Sequence, residues 1–179
     1  MDVTFSPLTD QDDDELIRFL TTNAFPFHVS SAPSEEQVRD RMAAGEFRSD
    51  ETRTYWIYGD NQRLGLLKLE DLKDDNPVFD LRLAERFRGE GHGVPVLNAL
   101  TGMVFKEFPH FRRFEGQTRE DNIAMRKTLL RCGFVKEAHY RQSWPSEGGT
   151  YLASVAYTIL KSDWEDGTTT PVVWEDFEE

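Results

Sequence analysis

Apolar residues recur along the chain with two periods, and the change from one to the other marks out its elements. Val3 to Pro7 reads as a first strand. Thr9-Asp10-Gln11-Asp12 has the spacing of a capping box. Leu16, Phe19 and Leu20 follow at i, i+3, i+4 and predict a helix, which Phe25-Pro26-Phe27-His28 breaks. Ser34-Glu35-Glu36-Gln37 is a second capping box, opening a helix through Val38 and Met42 to about Gly45. These early helices form either a flap over a substrate site or plain packing helices. Thr54 to Tyr58 and Arg63 to Leu72 read as a hairpin turning at Gly59-Asp60-Asn61-Gln62. Lys73-Asp74-Asp75-Asn76-Pro77 turns into a strand from Val78 to Leu83. Val94 to Phe108 carries Val96, Leu97, Leu100, Met103, Val104 and Phe108 on one broad helical face. Phe111 to Thr118 is a candidate strand. Asn122 to Arg131 is a helix with Met125, Leu129 and Cys132 at i, i+4, i+7, closed by Gly133. Phe134 to Trp144 and Tyr151 to Leu160 form a last hairpin, turning at Ser146-Glu147-Gly148-Gly149. Asp163 to Glu179 has no clear period, and Trp164 and Trp174 are the residues able to pin it to the body. With no internal repeat and no linker, this is one α/β unit over residues 1–161, followed by an acidic tail, 162–179.

Composition narrows the class. A chain of 179 residues with 38% hydrophobic and 30% charged residues suits one soluble globular domain with a full core. No apolar run approaches the roughly 18–20 residues that span a membrane. The N-terminus, Met1-Asp2-Val3-Thr4, lacks the pattern of a secretory signal. A single cysteine excludes an intramolecular disulfide, and a reducing cytoplasm is the natural setting. The net charge of −12 is partly a property of the tail, whose 18 residues hold seven acids and no Lys or Arg. That sign argues against a nucleic-acid partner. It suits a cationic small substrate, or it only keeps the surface soluble.

Between the strand Val78–Leu83 and the helix after it lies Arg88-Gly89-Glu90-Gly91-His92-Gly93. The first amides of a helix have no partner inside it, and the helix dipole favours an anion there. Glycine lets the backbone approach a bulky ligand and take up positive φ. Pro95 is tolerated in a first helical turn. The turn therefore reads as a pyrophosphate cradle. A plain tight turn is the alternative. A dinucleotide fingerprint fits less well, because its third glycine falls where Val94 stands.

A second motif follows one helix and one strand later: Glu120-Asp121-Asn122-Ile123-Ala124-Met125-Arg126-Lys127-Thr128-Leu129-Leu130-Arg131-Cys132-Gly133-Phe134. With Arg88-x-x-Gly91-x-Gly93 before it, the pair resembles the GNAT superfamily of acetyl-CoA-dependent N-acetyltransferases, whose cradle reads Q/R-x-x-G-x-G/A and whose next motif is an Asn opening a helix that ends in Gly-Phe. The subtype is similar to the ribosomal-protein N-terminal acetyltransferases. The resemblance covers about residues 54 to 160. It implies a mixed, mostly antiparallel sheet of about six or seven strands, splayed near its centre and flanked by helices. It implies acetyl-CoA as co-substrate and no metal. Backbone groups of Leu81, Arg82 and Leu83 would pair with the pantetheine arm. Arg88 and the amides of Gly89, Glu90, Gly91, His92, Gly93 and Val94 would hold the pyrophosphate. Asn122 would contact the pantetheine or its thiol end. Lys127 or Arg126 either reaches the phosphates or belongs to a solvated helix face.

The catalytic groups are less defined. Many relatives place a Tyr seven residues after the Asn as general acid, and the subtype often has a Ser three residues after it. Here those positions are Leu129 and Met125. Tyr140 is a substitute acid or a plain strand residue. A thiol with a pKa near 8.5 needs little help to leave. The amine's proton goes to a carboxylate or an ordered water. Asp80, Glu70 and Asp71 are the candidates, although Asp80 and Arg82 share a strand face and can pair with each other. The four histidines, His28, His92, His110 and His139, have no metal-ligand spacing. Cys132 reads as a small core residue rather than a nucleophile. The resemblance implies direct acetyl transfer to a primary amine of a small molecule or a protein N-terminus. A catalytically inactive acyl-CoA-binding sensor is the runner-up, and a homodimer is left open.

Overall fold

The computed structural model describes residues 1–146 and 149–175. Glu147 and Gly148, in the turn expected between the last two strands, lie outside the described residues, as do the last four of the tail. Seven strands form one sheet: β1 Val3–Pro7, β2 Arg53–Gly59, β3 Gln62–Glu70, β4 Val78–Leu83, β5 Arg113–Arg119, β6 Val135–Pro145 and β7 Tyr151–Leu160. Their order is β1-β2-β3-β4-β5-β7-β6. Every neighbouring pair is antiparallel except β4 and β5.

Helices cover both faces because the strands are apolar on both. On one face pack α3, Gly93–Glu107, and α4, Ile123–Arg131. Val96, Leu97, Leu100 and Val104 of α3 are buried there with Phe79, Phe114, Leu129 and Phe134. On the other face lie α1, Asp13–Thr22, and α2, Glu35–Ala43. Their Leu16, Phe19, Leu20 and Val38 close over Trp56 and Leu66. The capping box of α2 forms as expected, with Ser34 Oγ accepting from the Gln37 amide at 3.2 Å and Gln37 Oε1 accepting from the Ser34 amide at 2.9 Å.

The tail differs from its irregular reading at its start. Lys161–Asp166 forms a short helix, α5, whose Trp164 ring packs against Phe105 with centroids 5.5 Å apart. Asp163 is buried and accepts from the amide and hydroxyl of Thr170 at 2.7 Å each. A 3.6-residue period is not readable over six residues, so the helix was invisible to periodicity. Trp174, by contrast, is exposed.

The feature that positions the site is the single parallel pairing. It spans only Val78↔Glu115 and Phe79↔Gly116. Gly116 permits this closeness: a Cβ there would stand 2.6 Å from Phe79 Cζ. Beyond that pair β4 and β5 separate and leave a wedge at the centre of the sheet.

Candidate active site

The wedge opens into two cavities that share a wall. The first, about 390 Å³, runs from Leu81 and Leu83 past Arg88, Gly89, Gly91, His92, Gly93 and Val94, with Asn122, Lys127 and Arg131 across from them. The second, about 530 Å³, is floored by Glu70, Asp71, Val78, Asp80 and Arg82. Both are bounded by Phe27, His28, Leu81, Arg82, Asn122 and Met125.

Backbone geometry leaves unpaired polar groups along the first cavity. The Ala84 amide donates to the Leu64 carbonyl at 2.9 Å. In this antiparallel register, Arg82 and Asp80 therefore bond to β3, while the backbone groups of Leu81 and Leu83 face the wedge. The Leu83 carbonyl is taken by Arg88 Nε at 2.9 Å. At the far end Gly89 and Gly91 have φ of +78° and +84°. A Cβ on either would meet nothing within 4 Å, so it would project into open space. None of the amides of Gly89 to His92 donates to another described residue. Gly93 approaches α4 closely, its Cβ position 3.2 Å from Thr128 Oγ1, which sets the α3 N-terminus beside Lys127 and Arg131. An amide-lined, glycine-opened, basic-edged groove fits a pyrophosphate, and the free edge of β4 fits an amide-bearing arm laid along it.

Several expected contacts sit differently in detail. Arg88 turns inward: its Cζ lies 5.1 Å over the Phe25 ring, and burial, opposed by nearby Glu85, lowers its pKa. It props the end of β4 rather than presenting a free charge. Asn122 stands at the junction of the cavities, but its Oδ1 caps α4 by accepting from the Met125 amide at 3.2 Å, and its Nδ2 donates to Thr118 Oγ1 at 3.0 Å. Arg126 points away, to Tyr157 Oη and the Glu120 carbonyl, and Lys127 lines the groove. His92 and Val94 line it as well, while the Glu90 side chain is exposed.

The acceptor-side carboxylates differ in how tightly they are held. Asp80 takes Arg82 Nη2 at 2.7 Å and His28 Nε2 at 2.9 Å. Burial pushes its carboxyl up, but Arg82 and His28 outweigh that and hold it well below the usual carboxylate range. Among the described residues Glu70 is paired through Oε1, with Lys68 Nζ at 2.9 Å. Asp71 is exposed at the rim with φ of +58°. Tyr140, the substitute acid, lies half exposed on β6 and lines neither cavity. The residue β6 does supply is Trp144. Burial pushes the Cys132 thiol up to about 11, and its Sγ contacts the Val94 carbonyl at 3.7 Å.

The segment that broke the first helix forms the wall common to both cavities. Both Arg82 and Arg88 lie over the Phe25 ring, with Cζ at 5.0 and 5.1 Å from its centroid, and Arg119 lies over Phe27 at 5.1 Å. Of the two readings of the early helices, plain packing holds for α1 and α2, whose apolar residues are buried against the sheet; the wall is made by the loop between them. Nothing in the spacing of Phe25, Phe27 and His28 pointed to this, because their partners lie more than 50 residues away.

Comparison with known proteins agrees with this geometry. No curated protein matches the sequence. Among solved structures, the spermidine N-acetyltransferase from Vibrio cholerae in complex with CoA and spermine superposes with a TM-score of 0.77 at 16% identity, over 91% of this chain and 98% of that one. RimL, a ribosomal L7/L12 alpha-N-protein acetyltransferase in complex with coenzyme A, gives 0.68 at 18% identity, over 88% and 93%. Both likenesses show the fold. Residues 2–135 match the family model described as Acetyltransferase (GNAT) domain, which takes in β1 through the end of α4 and hence the whole groove: the chain belongs to the GNAT acetyltransferase family.

Proposed function

We propose that this protein transfers an acetyl group from acetyl-CoA directly to a primary amine, of a small molecule or a protein N-terminus, held in the second cavity. The observation that carries the reading is the meeting of the two cavities at Leu81, Asn122 and Met125, with free helix amides at one end and a carboxylate-bearing pocket at the other. Bound acetyl-CoA supplies a thioester whose carbonyl carbon takes the amine nitrogen as the C–S bond breaks. The amides of Gly89 to Val94 hold the pyrophosphate, and Leu81 and Leu83 orient the pantetheine along β4. Lys127 adds charge at the groove's edge. Phe27 and His28 close the junction against water.

The proton of the attacking amine passes to Glu70. Its Oε2 has no partner among the described residues, whereas both oxygens of Asp80 are occupied. A carboxylate held far below its usual range is also a weak base. Asp80 is better described as a positioning residue, fixing Arg82 and His28. The lone half-buried thiol of Cys132 supports a reducing cytoplasmic setting. No helix among the described residues is long and apolar enough to cross a membrane. The test is release of free thiol from acetyl-CoA across a panel of primary amines. The account expects release that depends on the amine. Acetyl-CoA binding with no release for any amine would support the inactive sensor instead.

A further inference from the structure

The lining of the acceptor cavity is acidic, and it also leaves hydrogen-bond donors unmatched. Four carboxylates, Glu46, Glu70, Asp71 and Asp80, stand there against two arginines, Arg41 and Arg82. Such a wall attracts a protonated amine and opposes a further carboxylate. Six side-chain atoms among the described residues are buried without a partner. Four of them belong to this lining: His28 Nδ1, Arg41 Nη1, Arg82 Nη1 and Trp144 Nε1. The last three can only donate. Both arginines give their other nitrogens to carboxylates. Arg82 Nη2 reaches Asp80 at 2.7 Å, and Arg41 Nε and Nη2 reach Glu46 at 2.7 and 2.6 Å. Glu46 also takes Lys68 Nζ at 3.2 Å, and Arg41, against the effect of burial and with help from Lys68, brings it down to about 2.

Trp144 has no other nitrogen to satisfy, and it lines this cavity but not the cofactor groove. β6 departs from regular pairing with β7 to bring it there. The register shifts between Tyr140 and Trp144, and Gln142 takes φ of +54°. Ser143 Oγ ties this stretch together, donating to the Tyr140 carbonyl at 2.8 Å and accepting from the Ser154 amide at 3.2 Å. A left-handed backbone is costly at a residue other than glycine, and a buried indole N–H without a partner adds to that cost. We propose that the acceptor is an α-amino carbonyl compound, an amine with a neutral amide or peptide oxygen beside it, and that Trp144 Nε1 donates to that oxygen. This rests on the acetyltransferase reading above and narrows its substrate class. The carboxylates draw in the ammonium form, Glu70 takes its proton, and the neighbouring carbonyl meets the indole N–H. Nε1 is shut off from water in the ligand-free chain, and the ring, on a partly buried residue, turns to meet the oxygen. A simple alkylamine leaves that donor unmatched. A free amino acid supplies an oxygen but sets a carboxylate against an acidic wall.

The experiment compares phenylalaninamide, phenethylamine and phenylalanine as acceptors by thiol release, after calorimetric titration has established acetyl-CoA binding in the same buffer. All three share one aromatic body, which suits the apolar surfaces of Val78, Phe79 and Met125 in the lining. Each kcat/KM is expressed per unprotonated amine, because a carbonyl also lowers the pKa of the amine beside it. The expected result is a value for phenylalaninamide about tenfold or more above each of the others, a conservative margin for a site that bonds an oxygen its competitor lacks. Phenethylamine or phenylalanine turning over as well as the amide overturns the proposal, and so does release with other primary amines but with none of these three. No release with any amine removes the transferase reading itself. Trp144→Phe supplies a second readout, because it keeps an aromatic ring and deletes the donor. It is expected to lower the phenylalaninamide-to-phenethylamine ratio of kcat/KM by about tenfold. An unchanged ratio in a Trp144→Phe protein that still binds acetyl-CoA overturns the assignment, and the wild-type comparison decides the matter if Trp144→Phe does not fold.

Discussion

Glu70 and Asp80 lie on adjacent strands of one wall, and what separates them is the number of partners each carboxylate has. Asp80 has both oxygens engaged, by Arg82 and His28, while Glu70 keeps Oε2 open. Glu70→Gln is therefore expected to lower kcat by a factor on the order of 10²–10⁴, the range for loss of a general base. Acetyl-CoA affinity measured by titration should be unchanged, because Glu70 does not line the nucleotide groove. A Glu70→Gln enzyme with wild-type kcat would move the proton transfer elsewhere. Cys132 gives the opposite expectation. Its thiol is pushed up to about 11 by burial, so almost none is thiolate at neutral pH. Cys132→Ala should keep most of its activity, and intact-mass analysis of the wild type with acetyl-CoA should show no acetyl-enzyme. An acetylated Cys132 would contradict direct transfer.

At the scale of elements, the site exists because two strands stop pairing. Gly116 allows β5 to approach β4 for one short parallel contact, and its missing side chain makes room for the Phe79 ring. Gly116→Ala would press a methyl into Phe79, which is packed against Phe114 and Phe134 at centroid distances of 5.0 and 6.4 Å. The expected cost is about 1–3 kcal/mol, as for other overpacked cores, read from the midpoint of a denaturant melt. No loss would mean that the ring has room to move. Much of this level was legible in sequence. The strand from Val78, the glycine turn and the Asn122 helix fell at their expected places, because each rests on a local signal of period, cap or glycine. The amides at 89–94 follow from the glycine turn, whereas the free edge at Leu81 is an expectation of the family resemblance alone. What the sequence hid were contacts between distant segments. His28 was set aside for lacking metal-ligand spacing, yet it bonds Asp80, 52 residues on. The resemblance places Arg88 at the pyrophosphate, but Phe25 and the Leu83 carbonyl draw it inward. Trp144 reaches the acceptor cavity through the irregular stretch of β6 between Tyr140 and Trp144, which strand alternation does not predict.

For the whole molecule, the paired carboxylates make stability depend on acid in a defined direction. Glu46, at about 2, and Asp80 are both depressed relative to unfolded carboxylates near 4. Their contribution is fully present above that unfolded value and is lost as pH falls through the folded ones. Denaturant midpoints should therefore drop between about pH 5 and pH 2. Glu46→Gln should be less stable than wild type at pH 7 and lose less on acidification, and equal losses would show that Glu46 is not linked to folding. The central claim remains that the α3 N-terminus is a cradle for the acetyl-CoA pyrophosphate. The most direct measurement is calorimetric titration of acetyl-CoA into wild type and Gly91→Val, beside a melt of each. Gly91 has φ of +84° and lines the groove, so valine there both strains the turn and fills the ligand's space. The strain should cost about 1–2 kcal/mol of stability and leave the protein folded. The account predicts that acetyl-CoA affinity falls at least about tenfold, a loss of about 1.4 kcal/mol or more; a folded Gly91→Val protein that binds acetyl-CoA as tightly as wild type would contradict it.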